Sequence, residues 1–189
     1  KGKIVLAGHT AAGKTSILLR IAHDRFDLDN HPTLTASFLS KKIKYKQNQV
    51  DLQFWDTAGQ ERFRAMSANY FRNAAVVLLC FDLTDLTSFE KLEYWAEQVK
   101  EKTSSETLKI VVGNKRDLVE QIQVTEQMVQ DFVKQQGESF EYIETSAKTG
   151  TNIQSLLDRI AENYCFAEPS ESKQNIRFQD QMERNQKCC

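Results

Sequence analysis

Residues 8 to 15 read GHTAAGKT, which sets Gly8, Gly13, Lys14 and Thr15 in the spacing G-x-x-x-x-G-K-[ST]. An apolar run, Ile4 to Ala7, precedes this stretch and a helical pattern, SILLRIAHDRF, follows it. Strand, loop and helix in that order make a phosphate cradle. The glycines let the chain turn so that backbone N–H groups across Thr10, Ala11, Ala12 and Gly13 point inward at phosphate oxygens. The helix opening at Lys14, Thr15 and Ser16 adds its partial positive charge. Lys14 is expected to neutralise the β and γ phosphates, and Thr15 to place a hydroxyl on Mg²⁺. A glycine-containing turn capping a helix is the bland alternative, and the flanking elements oppose it.

Three further stretches complete the chemistry. Asp56 closes the run VDLQFW and opens DTAGQE, where a carboxylate that helps hold Mg²⁺ belongs beside a phosphate loop. On its own it could be an ordinary turn aspartate. NKRD (Asn114, Lys115, Arg116, Asp117) follows the apolar IVVG. Guanine presents an N1–H and a 2-amino group side by side, and one carboxylate can accept from both; adenine has an acceptor at N1 and no 2-amino group. Asp117 therefore selects guanine, through two charge-assisted hydrogen bonds of roughly 1.5–3 kcal/mol each. Asn114 is expected to contact the other base edge and brace the loop, and the methylenes of Lys115 to cover one face of the ring. ETSAK (Glu144 to Lys148) follows FEYIE and brings Ser146, Ala147 and Lys148 to the same place, with the Ala147 N–H offered to the guanine O6.

These loops need strands to carry them. Apolar runs of strand length occur at Ile4 to Ala7, Phe38 to Tyr45, Val50 to Trp55, Ala75 to Phe81, Leu108 to Val112 and Phe140 to Ile143. Helical spacing predicts helices at Thr15 to Phe26, Phe63 to Asn73, Ser88 to Lys102, Thr125 to Gln136 and Ile153 to Phe166, with Ser88 and Thr125 as N-caps. KQNQ (Lys46 to Gln49) joins two strands directly, an antiparallel edge hairpin. The expected fold is α/β and doubly wound: a six-stranded, mostly parallel sheet with one antiparallel edge strand and five flanking helices, the fold of P-loop NTPases. Ligands in such sheets bind beyond the carboxyl ends of the strands, where every motif above falls.

The chain has 189 residues, 40% of them hydrophobic, and 25 Lys and Arg against 26 Asp and Glu, which suits one globular domain. A net charge of −1 provides no field to gather nucleic acid. Ala74 to Phe81, the longest apolar stretch, is too short to span a bilayer, so the expectation is a soluble, cytosolic folded part. Four cysteines (Cys80, Cys165, Cys188, Cys189) lack zinc-ligand spacing. Residues 1 to 166 are read as the domain and the polar residues 167 to 189 as a disordered tail.

From Lys3 to Phe166 the chain resembles the Ras superfamily of small GTPases. WDTAGQERF and the terminal KCC make it similar to the Rab family, and PTLTASFLSKKI (Pro32 to Ile43) is most like the endosomal branch. The resemblance implies that Thr33 closes a first switch over Mg²⁺ and the γ-phosphate, and that the Gly59 N–H makes the second γ-phosphate contact. It also implies that Phe26 lies edge-on to the guanine ring and that Gln60 orients the attacking water. No arginine is placed to act in cis, so intrinsic hydrolysis should be slow, about 10⁻⁴ s⁻¹, until an activating protein accelerates it. Further implied partners are an exchange factor, effectors meeting Phe38, Trp55 and Tyr70, a guanine-nucleotide dissociation inhibitor and a prenylation escort. Cys188 and Cys189 would carry two lipids holding a monomer to the cytoplasmic face of an endosomal membrane; acidic and basic tail residues balance, so lipid alone must anchor it. Thr10 and Ala11 stand where Rab proteins often have Ser and Gly. Slowed hydrolysis at Thr10 leaves open a GTP-locked scaffold of the same fold. A P-loop kinase or ATPase is opposed by Asp117.

Overall fold

Ile4 and Leu6 on one side of the first strand, and Val5 and Ala7 on the other, are all at most 1% exposed, so that strand must be covered on both faces. The computed structural model describes residues 2–27, 33, 37–57 and 68–167, and shows how. Strands β1 (Gly2–Gly8), β2 (Ser37–Tyr45), β3 (Asn48–Asp56), β4 (Val76–Asp82), β5 (Leu108–Asn114) and β6 (Phe140–Glu144) form one sheet in the order β2-β3-β1-β4-β5-β6. The pair β2 and β3 is antiparallel, from Ser37 opposite Asp56 to Tyr45 opposite Asn48, and all other neighbours are parallel. β4 and β5 are buried at every position, and β4 continues the longest unbroken apolar run, Ala74 to Phe81.

Five α-helices occur among the described residues: α1 (Lys14–His23), α2 (Leu86–Glu90), α3 (Leu92–Lys102), α4 (Glu126–Gln136) and α5 (Ile153–Ala167). One core, with Ile4, Leu6, Ile17, Ile21, Leu156 and Ile160, joins α1 and α5 to one face. A second, with Val5, Ala7, Leu79, Trp95, Val99 and Val129, joins α3 and α4 to the other. Among the described residues no helix is long and apolar enough to cross a membrane.

The predicted helix ends needed correction. α1 stops at His23 rather than Phe26, because Asp24 takes a left-handed conformation (φ 52°) and returns its N–H to Arg20 O at 3.0 Å. The helix expected from Ser88 is two helices that meet at Lys91, and the cap is Asp85, whose carboxylate accepts the Thr87 N–H. Ser88 lies inside α2, where its Oγ accepts the Asp82 N–H at 2.9 Å. Thr125 caps α4 as expected. Of the helix expected over Phe63 to Asn73, the described part is one 3-10 turn, Ala68–Phe71, with Asn73 at φ 60° after it. The hairpin turn narrows to Lys46 and Gln47, Lys46 sitting at φ 54°. Residues 58–67 and 168–189, and with them Gly59, Gln60, Cys188, Cys189 and the expected tail, lie outside the described residues.

Candidate nucleotide and metal site

The carboxyl ends of β1, β3, β5 and β6 bring the sequence motifs to one edge of the sheet. At the end of β1, Gly8 has φ 138°, and a Cβ there would stand 2.0 Å from Cys80 O. Gly13 opens α1 at φ 84°, with a Cβ position 2.2 Å from Asn114 Nδ2. Neither place admits a side chain. Because the α1 cap is glycine, no cap side chain competes for a first-turn N–H of this helix, which suits an anion there. Between the glycines, Ala11 holds φ 60°, a conformation that costs a residue with a Cβ about 1–2 kcal/mol. Lys14 is 5% exposed and donates to Gly8 O at 3.0 Å and His9 O at 2.8 Å. Burial lowers its pKa, while Cys80 and Asp56 pull the other way.

Beside Lys14 lies a cluster of oxygens. Thr15 Oγ1 donates to Asp56 Oδ2 at 2.6 Å and stands 2.7 Å from Thr33 Oγ1. Asp56 is 0% exposed, and its Oδ1 has no hydrogen-bond partner among the described residues. Burial raises the Asp56 pKa, and the Thr15 hydroxyl, the Lys14 charge and the Thr33 hydroxyl lower it. Two hydroxyls and a carboxylate with a bare buried oxygen are hard donors, the set that suits Mg²⁺. The residues present therefore fit that ion.

The base end is built from two loops that hold each other. Asn114 Nδ2 donates to Ala12 O at 3.1 Å, and its Oδ1 accepts the Ala147 N–H at 3.1 Å and the Thr145 hydroxyl at 3.4 Å. Asn114 thus braces the phosphate loop as well as its own. The Ala147 N–H expected at a guanine O6 lies against this amide. Ser146 Oγ donates to Asp117 Oδ1 at 2.6 Å, and Lys148 Nζ stands 4.0 Å from Asp117 Oδ2. Lys115 adopts φ 66° and pairs through Nζ with Asp82 Oδ2 at 2.6 Å. Ser16 follows the metal-side threonine in the first turn of α1. Phe26 lies past the end of α1, half-buried against the first core.

Phe38, Trp55 and Tyr70 form a row. Phe38 and Trp55 are cross-strand partners with ring centroids 5.0 Å apart, and Trp55 and Tyr70 lie 5.9 Å apart. Phe38 is 51% exposed, which removes core packing as its role, whereas Trp55 and Tyr70 are half-buried at the margin of the second core. Lys3 Nζ sits 5.5 Å over the Trp55 ring.

Sequence reading passed over Asp82, Thr145 and Arg20. Asp82 ends β4, so the strand-end rule that found Asp56 and NKRD could have found it as well. Thr145 is 0% exposed inside a motif already singled out. Arg20 lies inside the predicted first helix; its partners, Ala147 O at 2.8 Å and Lys148 O at 2.7 Å, are 127 and 128 residues away, and no local pattern points to them.

Comparison with known proteins agrees with this geometry. The family model described as the Ras family matches residues 3–165. The Ras-related protein RABF2b of Arabidopsis thaliana is 33% identical over 190 residues, an alignment covering 99% of this chain and 94% of that protein. The strand order, the phosphate loop and the paired base loops thus have a common source: the chain belongs to the Ras family, as a GTP-hydrolysing small GTPase of the Rab type.

Proposed function

We propose that this chain is a Mg²⁺-dependent guanine-nucleotide switch that hydrolyses GTP slowly and, while GTP lasts, holds effectors at an endosomal membrane in vesicular traffic. One observation carries the switch: the Thr33 hydroxyl meets Thr15 Oγ1 beside a buried Asp56 oxygen that lacks a partner among the described residues. Thr15, Thr33 and Asp56 would hold the ion, which neutralises phosphate charge when bound. The backbone N–H groups from Thr10 to Ser16, with Lys14, hold the phosphates, and Asp117, Asn114, Lys115 and the Ser146 to Lys148 loop hold guanine, with Phe26 at the ring edge. Gln60 orients the attacking water and the Gly59 N–H meets the γ-phosphate. Loss of that phosphate removes what Thr33 and Gly59 grip, and both loops let go.

The remaining parts of the reading concern partners. The row of Phe38, Trp55 and Tyr70 offers effectors an aromatic face of the kind enriched at interfaces. Residues 1 to 166 form the nucleotide-binding domain, and Cys188 and Cys189, within residues 167 to 189, carry lipids. An exchange factor, an activating protein, a dissociation inhibitor and a prenylation escort would move the monomer between cytosol and membrane. Single-turnover hydrolysis of bound GTP, with Mg²⁺ and after chelation, tests the switch in the parent, Gln60→Leu and Thr10→Gly. Slow hydrolysis that needs Mg²⁺ and falls further in Gln60→Leu is the expected result. Hydrolysis indifferent to both Mg²⁺ and Gln60 would defeat the proposal, and hydrolysis appearing only in Thr10→Gly would mark a locked scaffold.

A further inference from the structure

Arg20 stands near the end of the helix that begins at the phosphate loop, and a basic residue there is ordinarily read as a partner for the helix dipole. Its hydrogen bonds say more. Nη1 stays local, donating to Asp24 O at 2.9 Å and Asp24 Oδ1 at 2.8 Å. Asp24 is 92% exposed, so that ion pair alone contributes little. Nε and Nη2 leave the helix and take two successive backbone carbonyls, Ala147 O at 2.8 Å and Lys148 O at 2.7 Å. The Arg20 side chain is only 15% exposed; its bond to Ala147 O is part-buried, while the bond to Lys148 O lies at the surface. A planar guanidinium can satisfy two adjacent carbonyls at once; an ammonium acts as a single point.

The loop so gripped is the one assigned to guanine. On its inner side the Ala147 N–H and Ser146 Oγ bind Asn114 and Asp117, and on its outer side the carbonyls of Ala147 and Lys148 bind Arg20. Held from one side, a loop can pivot; held from both, it keeps its N–H groups aimed. We infer that Arg20 is a positioning residue for guanine, clamping the Ser146 to Lys148 loop to the helix that carries the phosphate loop, so that base and phosphate contacts are held in one frame. The inference rests on the guanine reading above.

The test compares release of GDP with release of the diphosphate of 6-thioguanosine, which keeps the N1–H and the 2-amino group and puts a weakly accepting sulfur in place of O6. Parent, Arg20→Met and Arg20→Lys are measured in Mg²⁺, with melting temperature in excess GDP as a check on folding. In the parent, the analogue should leave faster than GDP. Arg20→Met should release GDP roughly tenfold faster, the loss of two modest hydrogen bonds. Because the loop that carries the expected O6 donor is no longer held on its outer side, the gap between GDP and analogue should shrink. Arg20→Lys should fall between the two. Equal acceleration of both nucleotides, or none, overturns the clamp. A parent that does not distinguish GDP from the analogue sinks the O6 assignment and the inference with it.

Discussion

At the base end of the site, Asn114, Asp117, Ser146 and Ala147 satisfy one another, whereas at the phosphate end Asp56 keeps a buried oxygen without a partner among the described residues and Lys14 turns back onto the carbonyls of Gly8 and His9. The contrast separates two ways of making a binding site. Base recognition is set in advance by hydrogen bonds within the protein, so little ordering remains when a nucleotide arrives. Phosphate recognition is a charge imbalance in a dry place, in which the ligand and its ion supply the missing partners. Selectivity should therefore be decided at one end, and retention and switching at the other.

The largest effect should come from breaking the base end. Asp117→Ala removes two charge-assisted hydrogen bonds, so GDP affinity should fall by roughly 10² to 10⁴, read in a fluorescent-GDP titration. Asp117→Asn should recover affinity for xanthine nucleotides, because an amide can donate to the 2-carbonyl while accepting from N1–H. Xanthine binding equal to that of Asp117→Ala would count against a direct contact with the base.

A smaller loss is expected at the phosphate end. Asp56→Asn keeps the shape and removes the charge, which should weaken Mg²⁺ binding by about 10- to 100-fold, seen as GDP release at much higher free Mg²⁺ than in the parent. The preference for GDP over ADP should survive this change. If selectivity collapses along with Mg²⁺ binding, the two ends are not separable in the way the hydrogen bonds indicate.

Gly13 is where the ends touch, with its Cβ position 2.2 Å from Asn114 Nδ2. Gly13→Ala should cost about 1–3 kcal/mol of folding stability through the positive φ and the clash, measured by denaturant unfolding. The smallest effect runs the other way. Ala11 already holds φ 60°, and Ala11→Gly should stabilise the folded chain by up to about 1 kcal/mol, since the relief of strain is partly offset by the freer unfolded chain. A loss of stability there would show that the Ala11 methyl makes contacts worth more than its strain.

Much of this arrangement was legible in the sequence, and its limits have physical causes. The strands were plain because parallel strands buried on both faces read as apolar runs, as in VVLLCF of β4 and IVVG of β5. The motif loops were plain because ligand-binding residues gather just past strand ends. Helix ends were not, since they turned on single conformations: Asp24 leaving the helical region, Asp85 capping in place of Ser88, and the joint at Lys91. The phosphate end could be written down from spacing, but the bare oxygen of Asp56 could not, because it depends on which neighbours arrive. Arg20 was hidden for the same reason, its partners lying more than a hundred residues away.

The measurement that bears most directly on the central claim is displacement of bound fluorescent GDP by GTP, XTP and ATP, in the parent and in Asp117→Asn. The account predicts that GTP displaces it from the parent while ATP does not at a thousandfold higher concentration, within the roughly 10² to 10⁴ set by the two hydrogen bonds to Asp117, and that Asp117→Asn turns the preference toward XTP. Displacement of GDP from the parent by ATP as readily as by GTP would contradict it.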